Sequence, residues 1–267
     1  MPRAAEAVSP PKNRARRVMH GSLPTQPGTF AGLSDRGGIT PRRATACTQS
    51  GDGLPSFPPP MSARIAYRLV TERLELRCWR PEDAAPLLDV IGRSKPELEI
   101  FLPWARLEPT SLDAKIELLR TFRGRFDLGM DFAYGVFLRE TGEIVGGNGL
   151  MPRIGMGGLE IGYWTATHHA GKGYCTEGSA ALAHHALVTL GMDRVEIHAE
   201  PQNGPSNAIP KKLGFEREGV LRRRYPYADN DLRDTVIWTL FREKLPRADK
   251  VTWARYEAFD FAGRKIL

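Results

Sequence analysis

The run His168-His169-Ala170-Gly171-Lys172-Gly173-Tyr174-Cys175-Thr176-Glu177 joins a strand-like segment, Leu159 to Thr165, to an amphipathic helical segment, Gly178 to Leu190. Small residues at such a junction let backbone amides approach a ligand closely, and the helix start adds unpaired N–H groups and the positive end of its dipole. That is chemistry for holding phosphate. Two common phosphate motifs are excluded. A P-loop needs Gly-x-x-x-x-Gly-Lys-Ser/Thr, but Ala166 stands at the first glycine and Gly173 follows the lysine. A Gly-x-Gly-x-x-Gly dinucleotide fingerprint fails because Thr176 occupies its last position and no second βαβ half follows.

A second constellation lies further on. Asn203-Gly204-Pro205-Ser206-Asn207-Ala208-Ile209-Pro210-Lys211-Lys212-Leu213-Gly214-Phe215 follows a strand-like segment, Arg194 to Glu200. Asn203 carries the side-chain oxygen of a helix cap, and Pro210, lacking an N–H, should kink its short helix or free the Ser206 carbonyl. Taken together, the two elements resemble the GNAT superfamily of N-acetyltransferases. Its pyrophosphate loop reads Arg/Gln-x-x-Gly-x-Gly/Ala, matched here by Gly171 and Gly173 with His168 at the Arg/Gln position. The downstream element resembles the family's Asn-x-x-Ser and Lys-Leu-Gly-Phe signature. Leu159-Glu160-Ile161-Gly162-Tyr163-Trp164, Phe215-Glu216-Arg217-Glu218-Gly219-Val220-Leu221-Arg222 and Phe101-Leu102-Pro103-Trp104 are similar to the ribosomal-protein N-acetyltransferase (RimJ/RimL) branch. The resemblance runs from about Tyr67 to Leu245.

The resemblance implies an acetyl-CoA-dependent enzyme of α/β (α+β mixed) class, with a twisted mixed sheet whose two central parallel strands splay to admit the thioester arm. Those strands would be Leu159–Thr165 and Arg194–Glu200. Ile161, Tyr163 and Trp164 would offer backbone groups to the cofactor, and His168, His169, Ala170, Gly171, Lys172, Gly173 and Tyr174 would hold the diphosphate. Gly162 either leaves room for the arm or marks a bulge. Ser206 either touches the CoA sulfur and returns its proton, as a serine does at this position in the branch, or caps its own helix. Asn203 reads as a cap that also orders pantetheine. Glu160, the one carboxylate in the cofactor strand, is the expected base and acceptor contact, or else part of a sheet pairing. Tyr225 stands where the branch carries a glutamate. Tyr225 and Tyr227 then become candidate acids or pocket lining, with Trp104 on the acceptor side.

Other reactive side chains receive plainer readings. Lys172 reads as solvated, since loop amides suffice for phosphate. His168-His169 and His184-His185 are adjacent pairs that do not share a helical face, so no metal is expected. Cys175, although at a helix start, reads as a small residue and not an acyl carrier, since the resemblance implies direct transfer. Arg222-Arg223-Arg224 reads as a solvated strand end, or as a steering patch for an acidic acceptor.

Proton energetics bear on the acceptor. Deprotonating an α-amine of pKa near 8 at pH 7 costs about 1 kcal/mol, against about 4.6 kcal/mol for a lysine near 10.4. A site without an obvious strong base suits a protein or peptide N-terminus. Aminoglycoside-like or polyamine-like acceptors, and a CoA-binding sensor without turnover, are the alternatives.

The elements that must position these groups follow from periodicity. Arg73–Trp79, Phe132–Arg139, Glu143–Leu150, Leu159–Thr165, Arg194–Glu200, Phe215–Arg224 and Thr235–Phe241 read as strands, with Glu140-Thr141-Gly142-Glu143 as a hairpin connection. Pro81–Arg93 and Ser111–Phe126 read as helices, the second with Thr110 and Asp113 at capping-box spacing. Composition separates a leader from this body. Residues 1–60 hold ten of the 21 prolines and eight Lys/Arg against three Asp/Glu, leaving 30 against 28 afterwards. Five of the seven net charges therefore sit in a segment too poor in aliphatics to build a core, which argues against nucleic acid as partner of the body.

Residues 1–60 read as a disordered leader or a mis-assigned start ahead of Met61, 61–246 as the catalytic domain, and 247–267 as a tail carrying a docked helix. Three scattered cysteines, Cys47, Cys78 and Cys175, argue for a reducing compartment. No apolar run approaches the roughly 18 residues needed to span a bilayer. A cytoplasmic monomer or homodimer, free of membrane partners, is expected.

Overall fold

Leu74-Glu75-Leu76-Arg77-Cys78 alternates buried and half-buried residues, the period-two pattern of a strand with one covered face. The computed structural model describes residues 65–228, 231–248 and 255–267, so the leader and Trp253 lie outside the described residues. Among them the strands are β1 Arg68–Val70, β2 Leu74–Cys78, β3 Phe132–Leu138, β4 Ile144–Met151, β5 Gly158–Thr165, β6 Arg194–Ala199, β7 Glu216–Ala228, β8 Asp231–Phe241 and β9 Glu257–Phe259. They form one sheet in the order β7-β8-β6-β5-β4-β3-β2-β1-β9. Every neighbouring pair is antiparallel except β5 and β6.

That single parallel junction requires a crossover, and the helix that supplies it, α3, follows the glycine turn. The helices are α1 Ala84–Leu98, α2 Leu112–Asp127, α3 Tyr174–His184 and α4 Gly204–Lys212. Residues on α3 (Ala180, Leu182, Ala183) pack with Leu76, Tyr134, Leu159 and Ile161 in one core cluster. Leu87, Val90 and Ile91 of α1 and Leu119 of α2 pack with Trp79, Phe137 and Ile144 in another. Consecutive β3 residues Val136 and Phe137 belong to different clusters, as strand alternation demands. No helix among the described residues is long and apolar enough to cross a membrane.

Two expectations need correction, and the expected tail helix falls partly on residues outside the described ones. Among the described tail residues β9 pairs with β1 in register Leu69↔Ala258. The cap of α2 is Ser111, whose side chain accepts from Ala114 N at 3.1 Å. Thr110 is engaged elsewhere, donating both its N–H and its hydroxyl to Glu108 Oε2. Finally, β1 lies outside every expected strand because three residues carry too little pattern to read.

A buried histidine ties the lead-in of β1 to the end of α3. His185 is fully buried, and its Nε2 accepts the Ala66 N–H at 3.0 Å. Burial, reinforced by His184, lowers His185 from 6.5 to about 4. The unfolded chain therefore binds a proton that the folded chain refuses between those values. This contribution to stability is complete above pH 6.5 and is lost as pH falls through 4, amounting to about 3 kcal/mol. Urea unfolding at pH 7, 5.5 and 4 should show that decline, and His185→Gln should flatten it; parallel curves for the two proteins would refute it.

Candidate active site

After β5 the chain makes a 3-10 turn at Thr167–His169, passes Ala170 in extended conformation, and reaches Gly171 at φ +77° and Gly173 at φ +81°. Both glycines are left-handed, a conformation that L side chains resist, which explains their identity. Gly173 is the N-cap of α3 and no side chain caps the helix, so its first-turn N–H groups face outward from a backbone concavity. An unanticipated cation borders it. Arg73, in the turn between β1 and β2, donates Nη1 to Lys172 O at 3.1 Å and Nε to Glu177 Oε2 at 2.7 Å, and stacks over Tyr174 at 4.6 Å. Glu177 Oε1 accepts from Thr71 Oγ1 at 2.6 Å and from Arg73 N at 3.0 Å, anchoring the start of α3 to that turn.

The imidazoles of His168 and His169 turn instead toward Glu143. Desolvation pushes the Cys175 thiol up to about 12, so no thiolate is available there at neutral pH.

The parallel pairing of β5 and β6 covers Gly158↔Arg194, Leu159↔Val195 and Glu160↔Glu196 and then stops. Both strands continue. On its other side β5 stays paired with β4 as far as Thr165, and β6 with β8 as far as Ala199. Ile161–Thr165 and Ile197–Ala199 thus border a wedge, each held straight by its outer neighbour. The β4–β5 ladder passes through Gly149↔Gly162 without a bulge, and a Cβ on Gly162 would meet only the flexible end of Met151, Cε at 2.8 Å.

At the wedge stands α4. Asn203 Oδ1 accepts from Ser206 N at 3.0 Å, the expected cap. Pro210 cannot donate to the Ser206 carbonyl, and Tyr163 fills that place: its phenol donates to Ser206 O at 2.9 Å. The Tyr163 oxygen then accepts the Ser206 Oγ–H at 3.3 Å. Burial raises the Tyr163 phenol above its ordinary value, keeping it a donor. Asn207, which the sequence reading passed over, fastens the helix by donating to Glu200 O at 2.8 Å and accepting from Trp238 Nε1 at 2.9 Å.

Glu160 is buried where the strands begin to part. Arg153 donates Nε to Glu160 Oε2 at 2.7 Å and Nη2 to Oε1, so both oxygens are engaged. His198 bridges the two strands, with Nδ1 at 3.4 Å from Glu160 Oε2 and Nε2 at 2.8 Å from Glu196 Oε2. Burial raises the Tyr225 phenol, with Glu160 and Glu200 adding to that and Arg153 opposing. Trp104 packs edge-on against Trp164 at 5.9 Å. Tyr227 donates its hydroxyl to Glu99 O, and its ring lies 3.3 Å below the Arg233 guanidinium, so its proton is already committed. Arg233 also reaches Glu200 Oε2 at 2.8 Å and Ile100 O at 2.8 Å. Beside these groups lies a recess of about 580 Å³ bordered by Phe101, Glu200, Asp231, Arg233 and Asp234.

Of the expected residues, the fold brings Tyr163, Asn203 and Ser206 into one hydrogen-bonded cluster and Trp104 onto Trp164, while it commits Glu160 to Arg153. Arg73, Arg153, His198, Glu200 and Arg233 were missed. Only Glu200 had a local signal, its place at the end of the strand before Asn203.

Comparison with known proteins accords with this geometry. The Acetyltransferase (GNAT) domain family profile matches residues 73–216. The chain is 30% identical over 180 residues to the uncharacterized N-acetyltransferase p20 of Bacillus licheniformis, covering 66% of this chain and 97% of that protein. It is 26% identical over 181 residues to the [ribosomal protein uS5]-alanine N-acetyltransferase of Escherichia coli (strain K12), covering 65% and 90%. The solved structure of Mycobacterium smegmatis RimJ in complex with CoA-disulfide aligns with a TM-score of 0.58 at 25% identity, covering 68% of this chain and 88% of that one.

Proposed function

This chain belongs to the GNAT acetyltransferase family, and on that premise we propose that it acetylates the α-amino group at the N-terminus of a protein or peptide. Acetyl-CoA, when bound, supplies an activated thioester. The glycine turn and the start of α3 hold the diphosphate through backbone amides, with Arg73 adding charge at its edge. Ile161, Tyr163 and Trp164 border the wedge for the arm. Asn203 orders the first turn of α4, and Ser206 Oγ relays to the leaving sulfur a proton that the attacking amine gives up as its C–N bond forms and the C–S bond breaks. Tyr163 is a positioning residue, since its bonds to the Ser206 carbonyl and hydroxyl fix where Oγ stands.

The observation that carries the acceptor reading is the state of the carboxylate. Glu160 has both oxygens on Arg153, and Tyr225 holds its proton more firmly than a free phenol. With Glu160 engaged by Arg153 and Tyr225 keeping its proton, the site suits an acceptor that releases its proton readily. Glu160, directly or through water, then needs to accept only from an amine already near its own pKa. Carboxylates Glu200, Asp231 and Asp234 outnumber Arg233 around the recess, which suits a cationic peptide end. The uS5-alanine and RimJ relatives point the same way. The same carboxylates favour a small polyamine or aminoglycoside as the second reading.

A panel of peptides beginning with Ala, Ser or Met and carrying an internal lysine, run beside polyamines and aminoglycosides, separates these readings. Mass spectrometry should place the acetyl group on the α-amine over the lysine by on the order of 100-fold at pH 7, as their proton costs differ by roughly 3.3 kcal/mol. Turnover of the small amines with none of the peptides would overturn the proposal.

A further inference from the structure

Outside the acetyl-transfer site, the described residues hold one cluster with the composition of a transition-metal site: Glu143, His168 and His169. Glu143 begins the return limb of the hairpin between β3 and β4, and its carbonyl accepts the Leu138 N–H at 2.9 Å. The two histidines lie in the 3-10 turn that leads into the glycine loop, a turn closed by His169 N to Ala166 O at 2.9 Å. Ala166 N in turn donates to Val145 O at 2.8 Å, which draws the turn against the start of β4. Histidines at adjacent positions would diverge on an α-helix. His184 and His185 do, one meeting the Tyr256 hydroxyl and the other the Ala66 N–H. In the tighter 3-10 turn the rings of His168 and His169 lie side by side, tilted by 44° with centroids 4.1 Å apart, and both Nε2 atoms reach one carboxylate oxygen.

The spacing is that of ligands around an ion. Donor atoms bound at about 2.0–2.1 Å to a tetrahedral zinc lie about 3.3 Å from one another. Here His168 Nε2 and His169 Nε2 stand 3.1 and 3.3 Å from Glu143 Oε1, and the three ligand atoms all lie within 4.8 Å of one another. A second, independent observation concerns His169. It is 4% exposed, yet its Nδ1 has no partner among the described residues, and its Nε2, 3.3 Å from Glu143 Oε1, is not aligned for a hydrogen bond. A hydrogen bond from His168 to Glu143 accounts for those two residues and leaves a buried imidazole unsatisfied, which costs about 1–3 kcal/mol. An ion coordinated here engages His169 Nε2 together with His168 Nε2 and Glu143 Oε1.

We propose that Glu143, His168 and His169 bind a divalent transition-metal ion, Zn2+ by the chemistry of the donors, which tethers the entrance of the glycine turn to the β3–β4 hairpin. Two imidazoles and one carboxylate select zinc over the oxygen-preferring magnesium and calcium. Three protein ligands leave a position for water. The site stands whether or not the acceptor reading is correct.

The full chain, stripped with chelator and titrated with Zn2+ in the absence of CoA, should bind one equivalent and gain in melting temperature. Co2+ in its place should give the visible ligand-field absorption of a low-coordinate nitrogen and oxygen site. Glu143→Gln and His168→Gln change exposed side chains and so spare the fold; each should weaken binding by about 10- to 100-fold. His169→Phe keeps the ring and removes both nitrogens, and it should abolish the zinc-induced rise in melting temperature. Absence of stoichiometric binding in the wild type, or equal binding in the wild type and the first two variants, would overturn the proposal.

Discussion

Ser206→Ala is expected to lower kcat by at least about 100-fold, the lower bound for loss of a positioned proton donor, while acetyl-CoA affinity holds. The affinity should hold because the variant keeps what builds α4. Asn203 caps through the Ser206 backbone N–H, and Tyr163 donates to the Ser206 backbone carbonyl; neither bond uses the side chain. What disappears is the hydroxyl that Tyr163 holds in place beside the wedge. Tyr163→Phe should lower kcat by less, because it leaves the serine hydroxyl in place but free to turn. Pro210 denies the orphaned Ser206 carbonyl a helical donor, so that variant cannot repair itself locally. Steady-state kinetics with calorimetric acetyl-CoA binding measures both parameters. An unchanged kcat in Ser206→Ala would remove this hydroxyl from the chemistry.

Lys115→Met is expected to cost about 3–5 kcal/mol of stability, the penalty for leaving one partner of a buried ion pair uncompensated. Lys115 is 1% exposed and its ammonium contacts Glu108 Oε1. Burial works to raise the Glu108 carboxyl, but hydrogen bonds from Lys115 and Thr110 outweigh it and hold the group below 4.5. Removing the ammonium reverses that balance. A carboxyl whose folded pKa rises above the unfolded one binds a proton on folding, so the penalty should shrink as pH falls through the carboxylate range.

At roughly 2–4 °C per kcal/mol the melting temperature should fall by roughly 6–20 °C near neutral pH. Adding Glu108→Leu should recover most of the loss, since no charge is then stranded. Glu108 follows the 3-10 turn Pro103–Leu107, and Lys95 holds its backbone carbonyl. The single variant should therefore also raise KM for the acceptor through Trp104 without changing acetyl-CoA affinity. Melting curves of the single and double variants across pH test this directly; a single variant as stable as the wild type would show that the pair is dispensable.

The amino-acid sequence alone determined whatever acts over a few residues. Gly171 and Gly173 were legible because a turn into a helix start at positive φ tolerates little else. The Asn203 cap, the carbonyl released by Pro210, and the hairpin through Gly142 were legible because caps, prolines and tight turns obey rules that span one to four positions. The family's element order could be read as well, since strand and helix periods differ.

Tertiary structure decided which of these pieces meet. Tyr163 finds Ser206 across 43 positions, Arg73 finds Glu177 across 104, and Arg233 finds Glu200 across 33. The period of a strand states which face a side chain occupies but not which strand lies beside it or in what register. Hence Glu160 could be recognised as a carboxylate on the cofactor strand, whereas its commitment to Arg153 and the approach of His198 required the pairing of β5 with β4 and β6. The histidines beside the glycine turn illustrate the same limit. Their helical-face argument was sound for an α-helix, but a 3-10 turn pressed against β4 sends both imidazoles to Glu143, because the spatial neighbour and not the chain spacing sets where a ring nitrogen points.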